Sequence, residues 1–217
     1  MNGTLLQQKI AYGLGRAATY TGATHTQYRP TGYINPISAG YSLGTLSAAF
    51  TLAGGMHPRG WPAQVKATQP YWQAIAPVAS LQVGDYLVGA HTYCMVGIDN
   101  LVIPIALRCT QSITFSRPSS TVPTGLQNYS SMATQAPVVY AQNVPCAINM
   151  KKQTGKAEVG LPGDAALRAF YEAEFYLPDG FVQHRDIAVD SNGIRYQVVS
   201  VSSGLLGTQA LIEVLEA

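Results

Sequence analysis

Apolar and polar residues alternate most clearly near the end of the chain. Residues 186–189 start a mostly apolar run, the Asn-Gly pair at 192–193 follows, and residues 194–202 then alternate. An Asn-Gly pair tolerates the positive φ that tight hairpins need. Residues 204–207 supply a second turn before the run at 208–215. The pattern predicts a three-stranded β-meander.

A looser repeat of this meander lies at residues 83–98. Asp85 takes the place of Asp186, and residues 93–98 match residues 196–201. Paired carboxylates can serve acid–base chemistry, but only where both face one cleft. We expect instead that each aspartate caps the turn before its own strand.

A further strand is predicted at residues 168–177, which could also form a helix by their charge content. Tyr171, Ala173 and Phe175 fall on one side of a strand, opposite Glu172 and Glu174. This alternation favours a strand.

Helical spacing occurs at residues 4–21, where Leu6, Ile10, Leu14 and Ala17 or Ala18 form one stripe and Gly22 provides a stop. The glycines at positions 13 and 15 each weaken such a helix by about 1 kcal/mol relative to alanine. We therefore expect this helix to depend on docking against something larger.

Glycine and proline interrupt the pattern throughout residues 23–79 and 118–145. Long irregular segments in a compact domain are often binding arms, so we expect these to reach between subunits. The predicted fold class is mainly β, with small barrel or meander units, two of them related, one N-terminal helix and long extended loops. The predicted parts are a docking helix at 1–22, a loop-rich arm plus first β-barrel-like unit at 23–117, a linker or extended segment at 118–150, and a second β-meander unit at 151–217.

Charge is scarce, because only 11% of the 217 residues are charged, against about 25% in an average soluble domain. Such a surface suits burial against neighbouring subunits. Residues 1–150 hold seven basic and two acidic residues, a net +5, while residues 151–217 hold six basic and nine acidic, a net −3. Opposite ends of opposite sign suit head-to-tail packing in a ring. An uneven scatter of surface charge is the alternative.

The three cysteines, at positions 94, 109 and 146, show no paired framework, which fits reduced thiols in a cytoplasm. The first residues lack the basic start and apolar run of a signal peptide. No run of about eighteen apolar residues occurs, so we expect no membrane span. We also expect no cofactor.

Two patterns hint at enzymatic chemistry, and both are weak. Ser42 lies in Gly40-Tyr41-Ser42-Leu43-Gly44, which matches a nucleophile elbow, but the preceding residues carry a proline where the elbow needs an apolar strand. His91 and the three cysteines could ligate zinc. On a strand, however, His91 and Cys94 would face opposite sides, and no Cys-x-x-Cys pair is present.

Other features suggest contacts with macromolecules. Lys151, Lys152 and Lys156 form a small basic cluster, for which a solvated loop is favoured over a nucleic-acid contact. Thirteen tyrosines suit either a protein interface or the strand faces of a small barrel. Trp61 and Trp72 leave a carbohydrate-binding module open as a further alternative.

Three segments carry a resemblance to a known class: residues 27–30 after the helix, residues 83–88, and the closing residues 190–201. Together they resemble virion proteins of tailed bacteriophages and their prophage relatives. The closing meander is similar to head–tail joining and adaptor proteins, although this chain is longer than the small adaptors by a barrel-like first half. The resemblance implies a non-enzymatic ring at the phage neck that joins the capsid to the tail and retains DNA.

From the resemblance we expect a homo-oligomeric ring of twelve-fold order, with the portal protein and tail proteins as partners and a passing contact with packaged DNA. The protein would lie in the neck or tail region of the virion, and in the host cytoplasm during assembly. We assign six residues to interfaces, with the helical stripe docking on a partner such as the portal: Leu6, Ile10, Leu14, Arg16, Tyr28 and Arg29. The alternatives are a tail-tube, collar or fibre-anchoring protein, or a small serine hydrolase or zinc-binding protein.

Overall fold

The computed structural model describes residues 3–52, 70–98, 103–117, 137–150, 170–204 and 206–215. Within these residues the chain forms one α-helix, α1 (Gly3–Thr21), two short 3-10 turns (Ala39–Tyr41 and Val78–Ser80) and twelve β-strands. The strands build two closed six-stranded barrels. The predicted fold class is confirmed.

The first barrel is closed by antiparallel pairing throughout, in the order β1-β2-β3-β6-β5-β4 with β4 returning to β1. Its strands are β1 (Ala23–Tyr28), β2 (Ser42–Leu52), β3 (Tyr71–Ile75), β4 (Tyr86–Val88), β5 (Thr92–Gly97) and β6 (Ile105–Cys109).

The second barrel has the order β7-β8-β9-β12-β11-β10, with β10 returning to β7. Its strands are β7 (Gln111–Arg117), β8 (Val138–Met150), β9 (Phe170–Phe175), β10 (Ile187–Asp190), β11 (Arg195–Gly204) and β12 (Gly207–Val214). Taken strand by strand, this is the order of the first barrel.

The two barrels also share their strand register. Leu87 pairs with Tyr93 in the first barrel, and Ala188 pairs with Tyr196 at the equivalent place in the second. The register likewise breaks at one matching point, after Met95 in β5 and after Val198 in β11. Such bulges bend a strand and increase its twist, which helps a small barrel to close. The predicted match between residues 93–98 and 196–201 is confirmed, and it extends to the whole barrel.

Each barrel encloses its own apolar core. In the first barrel the inward residues include Ala48, Ala74, Leu87, Met95 and Ala106. Those of the second barrel are larger, and they include Ile113, Phe115, Phe175, Val198 and Ile212. The strand prediction for residues 168–177 is confirmed, because Tyr171, Ala173 and Phe175 all contribute to the second core.

The boundary between the two units differs from the predicted one. Only Thr110 separates β6 from β7, so the second barrel begins at residue 111. Residues 138–150, at the end of the predicted linker or extended segment, are extended, and they form strand β8 of the second barrel. The polar pair Gln142 and Asn143 and the following Pro145 interrupt the apolar pattern of this strand, which is irregular where Asn143 has a φ of +52°. Residues 118–136 and the lysine cluster at 151–156 lie outside the described residues.

The segment predicted to be an irregular arm, residues 23–79, contributes β1, β2 and β3. Strands β1 and β2 are rich in Ser, Thr and Ala. Threonine suits a pleated surface, and alanine fits the interior of a narrow barrel, so a period of large apolar residues is not needed.

Helix α1 begins and ends close to its predicted bounds and packs on the first barrel. It contacts β2, β3 and the turn Val78–Ser80, and Ala18 is its buried residue. Gly22 ends the helix by donating a backbone hydrogen bond of 2.8 Å to Ala18. A side chain at Gly22 would lie 2.4 Å from the Ala18 carbonyl oxygen and 2.8 Å from the Ala48 nitrogen. Glycine is therefore required where the chain passes from helix to barrel.

Candidate functional site: the barrel faces and helix α1

An arginine–aspartate pair closes the first barrel. The Arg29 guanidinium donates to both carboxylate oxygens of Asp85 at 2.8 Å, and also to the Ser80 carbonyl. Asp85 further accepts hydrogen bonds from the Gln27 side chain and the Gln82 backbone N–H. The carboxylate thus joins the end of β1 to the turn before β4.

The second barrel repeats this arrangement with Arg117 and Asp186. Arg117 donates to the two oxygens of Asp186 at 2.8 and 2.9 Å and to the Phe181 carbonyl. The backbone N–H of Gln183 and the Tyr140 hydroxyl complete the set. The prediction that each aspartate caps its own turn is confirmed, and the sequence did not indicate the arginine partners.

The electrostatics of the second pair favour the charged form of Asp186. Burial alone would raise the pKa of this carboxyl, but the hydrogen bonds from Arg117 and Tyr140 outweigh it and lower the pKa. The pKa of Arg117 is raised by its hydrogen bond to Asp186. Both groups remain ionised at neutral pH, as expected of a structural ion pair rather than of a proton-transfer group.

The segment after β1 crosses from the first barrel to the second. Ile34 forms a parallel bridge with Gln142 of β8, and the side chains of Asn35 and Asn143 are hydrogen-bonded at 2.6 Å. The Tyr33 ring lies 4.5 Å from that of Phe181. This part of the predicted arm therefore reaches within the chain, to its own second barrel.

A cleft of about 230 Å³ lies beneath this crossing segment, lined by residues of both barrels that include Tyr33, Tyr176 and the Arg29–Asp85 pair. Most of the charge in the cleft is already neutralised, because Arg29 and Asp85 bind one another. The cleft thus lies at a junction between parts of the chain.

The two barrels pack through unlike surfaces. We call the outer side of β4, β5 and β6 the front face of the first barrel. The back face of the second barrel is the outer side of β8 and β9 with Tyr176 just after β9, and the back face of the first is the outer side of β2 and β3 with Pro77. The front face is buried and consists of Tyr86, Cys94, Val96, Ile105, Leu107 and Cys109. Across from it lie Ala147 and Tyr176 of the back face, together with Leu206. The front face of the first barrel therefore contacts the back face of the second.

Polar groups also join the barrels, and no pattern in the sequence predicted this contact. Tyr71 of β3 is hydrogen-bonded to Glu174 of β9, and Gln209 of β12 joins both. Burial raises the pKa of Glu174, and it also raises the pKa of Tyr71. The Glu174 Oε2 atom is buried without a hydrogen-bond partner. A buried carboxylate in this state is costly, so the protonated form is relatively favoured.

The three cysteines are free and buried near the same contact between the barrels. Burial raises the pKa of Cys109 to about 12 and also raises the pKa of Cys94 and Cys146. Such thiols behave as small apolar residues. Within the described ranges, no group of three or more His, Cys, Asp and Glu side chains is placed to hold a metal ion.

Ser42, His91 and Cys94 do not have the local geometry that their predicted motifs need. Ser42 is the first residue of β2 and follows a 3-10 turn, whereas a nucleophile elbow places the serine between a strand and a helix. His91 is exposed and lies 3.2 Å from the Arg108 guanidinium, while Cys94 is buried. Trp72 packs against the first core and under Arg108.

The residues predicted for interfaces divide into two groups. Ile10 and Leu14 are partly buried on the side of α1 that carries Ala18 and faces the first barrel, whereas Leu6 and Arg16 are exposed. The stripe expected to dock on a partner is therefore largely directed at the chain's own barrel. Tyr28 packs beside the front face of the first barrel, and Arg29 is bound to Asp85 as described above.

No helix among the described residues is long and apolar enough to cross a membrane. No protein-family model, curated protein or solved structure matches this chain.

Proposed function

We propose that this protein is a structural component of the virion of a tailed bacteriophage. In this proposal its copies form a ring at the neck, joining the portal to the tail and retaining DNA, and the protein is not an enzyme. One observation carries the proposal: the segments behind the resemblance lie in or directly beside strands of two small closed barrels that share one strand order.

The closing segment supports the proposal in detail. Asp190 accepts hydrogen bonds from the backbone N–H groups of Asn192 and Ile194, and Gly193 has a φ of +82°. The Tyr196 hydroxyl donates to Asp190 at 3.2 Å. The aspartate-led turn and the following Arg-Tyr strand are therefore one hairpin, which is the element that resembles head–tail joining proteins.

The surface gives a second line of support. Large apolar side chains are exposed on α1 and on both barrels, among them Leu5, Ile34, Leu43, Val138 and Met150. Few charges accompany them. A subunit with this surface is suited to burial against other proteins, as in a virion.

Deletion of the gene from the phage or prophage genome that encodes it tests this function. We expect DNA-filled or emptied heads without tails, restored to infectious particles by the wild-type gene in trans. The Ser42→Ala variant should restore them equally well, because no serine chemistry is involved. Normal tailed particles from the deletion would contradict the proposal, and loss of rescue by Ser42→Ala would favour the hydrolase alternative.

A further inference from the structure

The second barrel has a front face of its own, which corresponds residue by residue to the buried front face of the first. Shared register places Ile187 at the position of Tyr86, and Val199 at that of Val96. This second front face consists of Ile187, Gln197, Val199, Leu211, Glu213 and Leu215. All six are partly exposed, whereas their counterparts in the first barrel are buried.

The back face of the first barrel is occupied differently. Its residues Ile75 and Pro77 correspond to Glu174 and Tyr176, which contact the neighbouring barrel. Here helix α1 takes that place, since it contacts β2, β3 and the turn Val78–Ser80, with Gly15 placed over Pro77. The pair of barrels thus presents α1 on one side and the partly exposed second front face on the other.

The outer side of α1 carries a second stripe, of which the sequence predicted only Arg16 as an interface residue. Leu5, Lys9, Tyr12, Arg16 and Tyr20 are spaced four, three, four and four residues apart. At about 100° per residue they fall within an arc of about 80°. All are exposed, and Tyr12 and Tyr20 retain 68% and 77% of their surface. Tyrosine and arginine side chains of this kind are enriched in protein interfaces.

We propose that the outer stripe of α1 docks on the second front face of another copy of this chain. Within one chain, the front face of the first barrel already packs against the back face of the second. A contact between copies through the second front face would continue this front-to-back order. Contacts between unlike faces close into a ring or extend as a filament. This inference rests on the ring of the proposed function and names its interface.

Charge is consistent with this pairing. Helix α1 has two cations, Lys9 and Arg16, and no acidic residue. The second front face carries one acidic residue, Glu213 of β12. Arg195, the first residue of β11, lies at the end of the face rather than at its centre. Complementary charge would fix the register of the two copies while the apolar residues supply the contact area.

Disulfide trapping between two single variants tests the interface. Tyr12→Cys and Val199→Cys are mixed in the full chain, whose native thiols are buried. We expect covalent dimers at least tenfold above either variant alone. The matched control mixes Tyr12→Cys with Leu43→Cys, because Leu43 is exposed on β2 of the first barrel. Trapping no greater than in this control would overturn the interface.

The test separates the interface from the function. If sedimentation shows association of the chain without trapping between positions 12 and 199, the interface is wrong and the ring remains. If the gene deletion still gives normal tailed particles, the proposed function fails whatever the trapping shows. Trapping in the target mixture alone supports the interface in either case.

Discussion

At the scale of single residues, the molecule depends on two aspartates that hold their barrels closed. Asp85 and Asp186 are almost completely buried, and each accepts hydrogen bonds from an arginine, from a backbone N–H and from one further side chain. A buried carboxylate so fully bonded stabilises the fold only while all its partners remain.

Replacement of this carboxylate should be costly. We expect Asp186→Asn to lower the free energy of unfolding by about 2 kcal/mol, because the buried site loses the charge-assisted hydrogen bonds from Arg117. Asp85→Asn should have a similar effect in the first barrel. Asp179→Asn, at an exposed site, is the control and should change stability by less than about 0.5 kcal/mol. Chemical denaturation measures the stability of all three variants. An Asp186→Asn variant as stable as the wild type would contradict the account.

Acid should weaken the same pair. Because the folded pKa of Asp186 is lowered, its contribution is fully present above the unfolded value of about 3.9 and is lost as pH falls through the folded value. The wild-type unfolding free energy should therefore decline below about pH 4. Asp186→Asn should show a shallower decline in that range, and a parallel decline would argue against the assignment.

The pKa of Glu174 is shifted in the opposite direction to that of Asp186. Its folded pKa is raised by burial, so its contribution is fully present below about 4.3 and is lost as pH rises through the folded value. We expect Glu174→Gln, which resembles the protonated form, to raise stability at pH 7 by about 1 kcal/mol. The gain should vanish near pH 4, and a loss of stability at pH 7 would contradict the prediction.

The thiols report on the contact between the barrels. Because Cys94, Cys109 and Cys146 are buried with raised pKa values, we expect none to react with an aromatic disulfide reagent in the native chain. All three should react after denaturation. Leu43→Cys provides the positive control, with one thiol that reacts at once. Rapid native reaction of a further thiol would show that the contact opens.

At the scale of elements, helix α1 is tied to the first barrel by a glycine at its end and weakened by glycines within it. Gly22 lies against the backbone of Ala18 and Ala48, whereas a side chain at Gly13 would contact nothing within 4 Å. The two glycines thus have different physical reasons to matter, one steric and one entropic.

Two alanine substitutions should separate these reasons. We expect Gly22→Ala to destabilise the chain by about 2 kcal/mol, because the backbone must shift to admit a methyl group. Gly13→Ala should instead stabilise α1 by about 1 kcal/mol. Thermal unfolding followed by circular dichroism measures both, and equal effects of the same sign would contradict this interpretation.

The elements differ in how far the sequence predicted them. Helix α1 and the β10–β11 hairpin followed from spacing and from the Asn-Gly turn. Strands β1 and β2 did not, because a narrow barrel accepts alanine, serine and threonine where a wider core would need larger residues. The full length of β8 did not follow either, because Gln142, Asn143 and Pro145 interrupt its apolar pattern. The arginine–aspartate pairs link residues 56 and 69 positions apart, which no local pattern shows.

At the scale of the whole molecule, the repeat explains the arrangement of the surface. Two barrels of one design meet front to back, so one face of that design is buried and its counterpart is partly exposed. The sequence predicted two related units, and the head-to-tail packing of subunits that its charge suggested stays a prediction. It placed the boundary wrongly, because Thr110 alone joins the barrels without any stretch of glycine or proline.

The assembly state of the purified full chain tests the central claim most directly. Electron microscopy of the protein at high concentration, with mass measured by sedimentation, should show closed rings of twelve copies, the order implied by the resemblance. Rings of six-fold or three-fold order would favour a tail component instead. Particles with the mass of a single chain at every concentration would contradict the account.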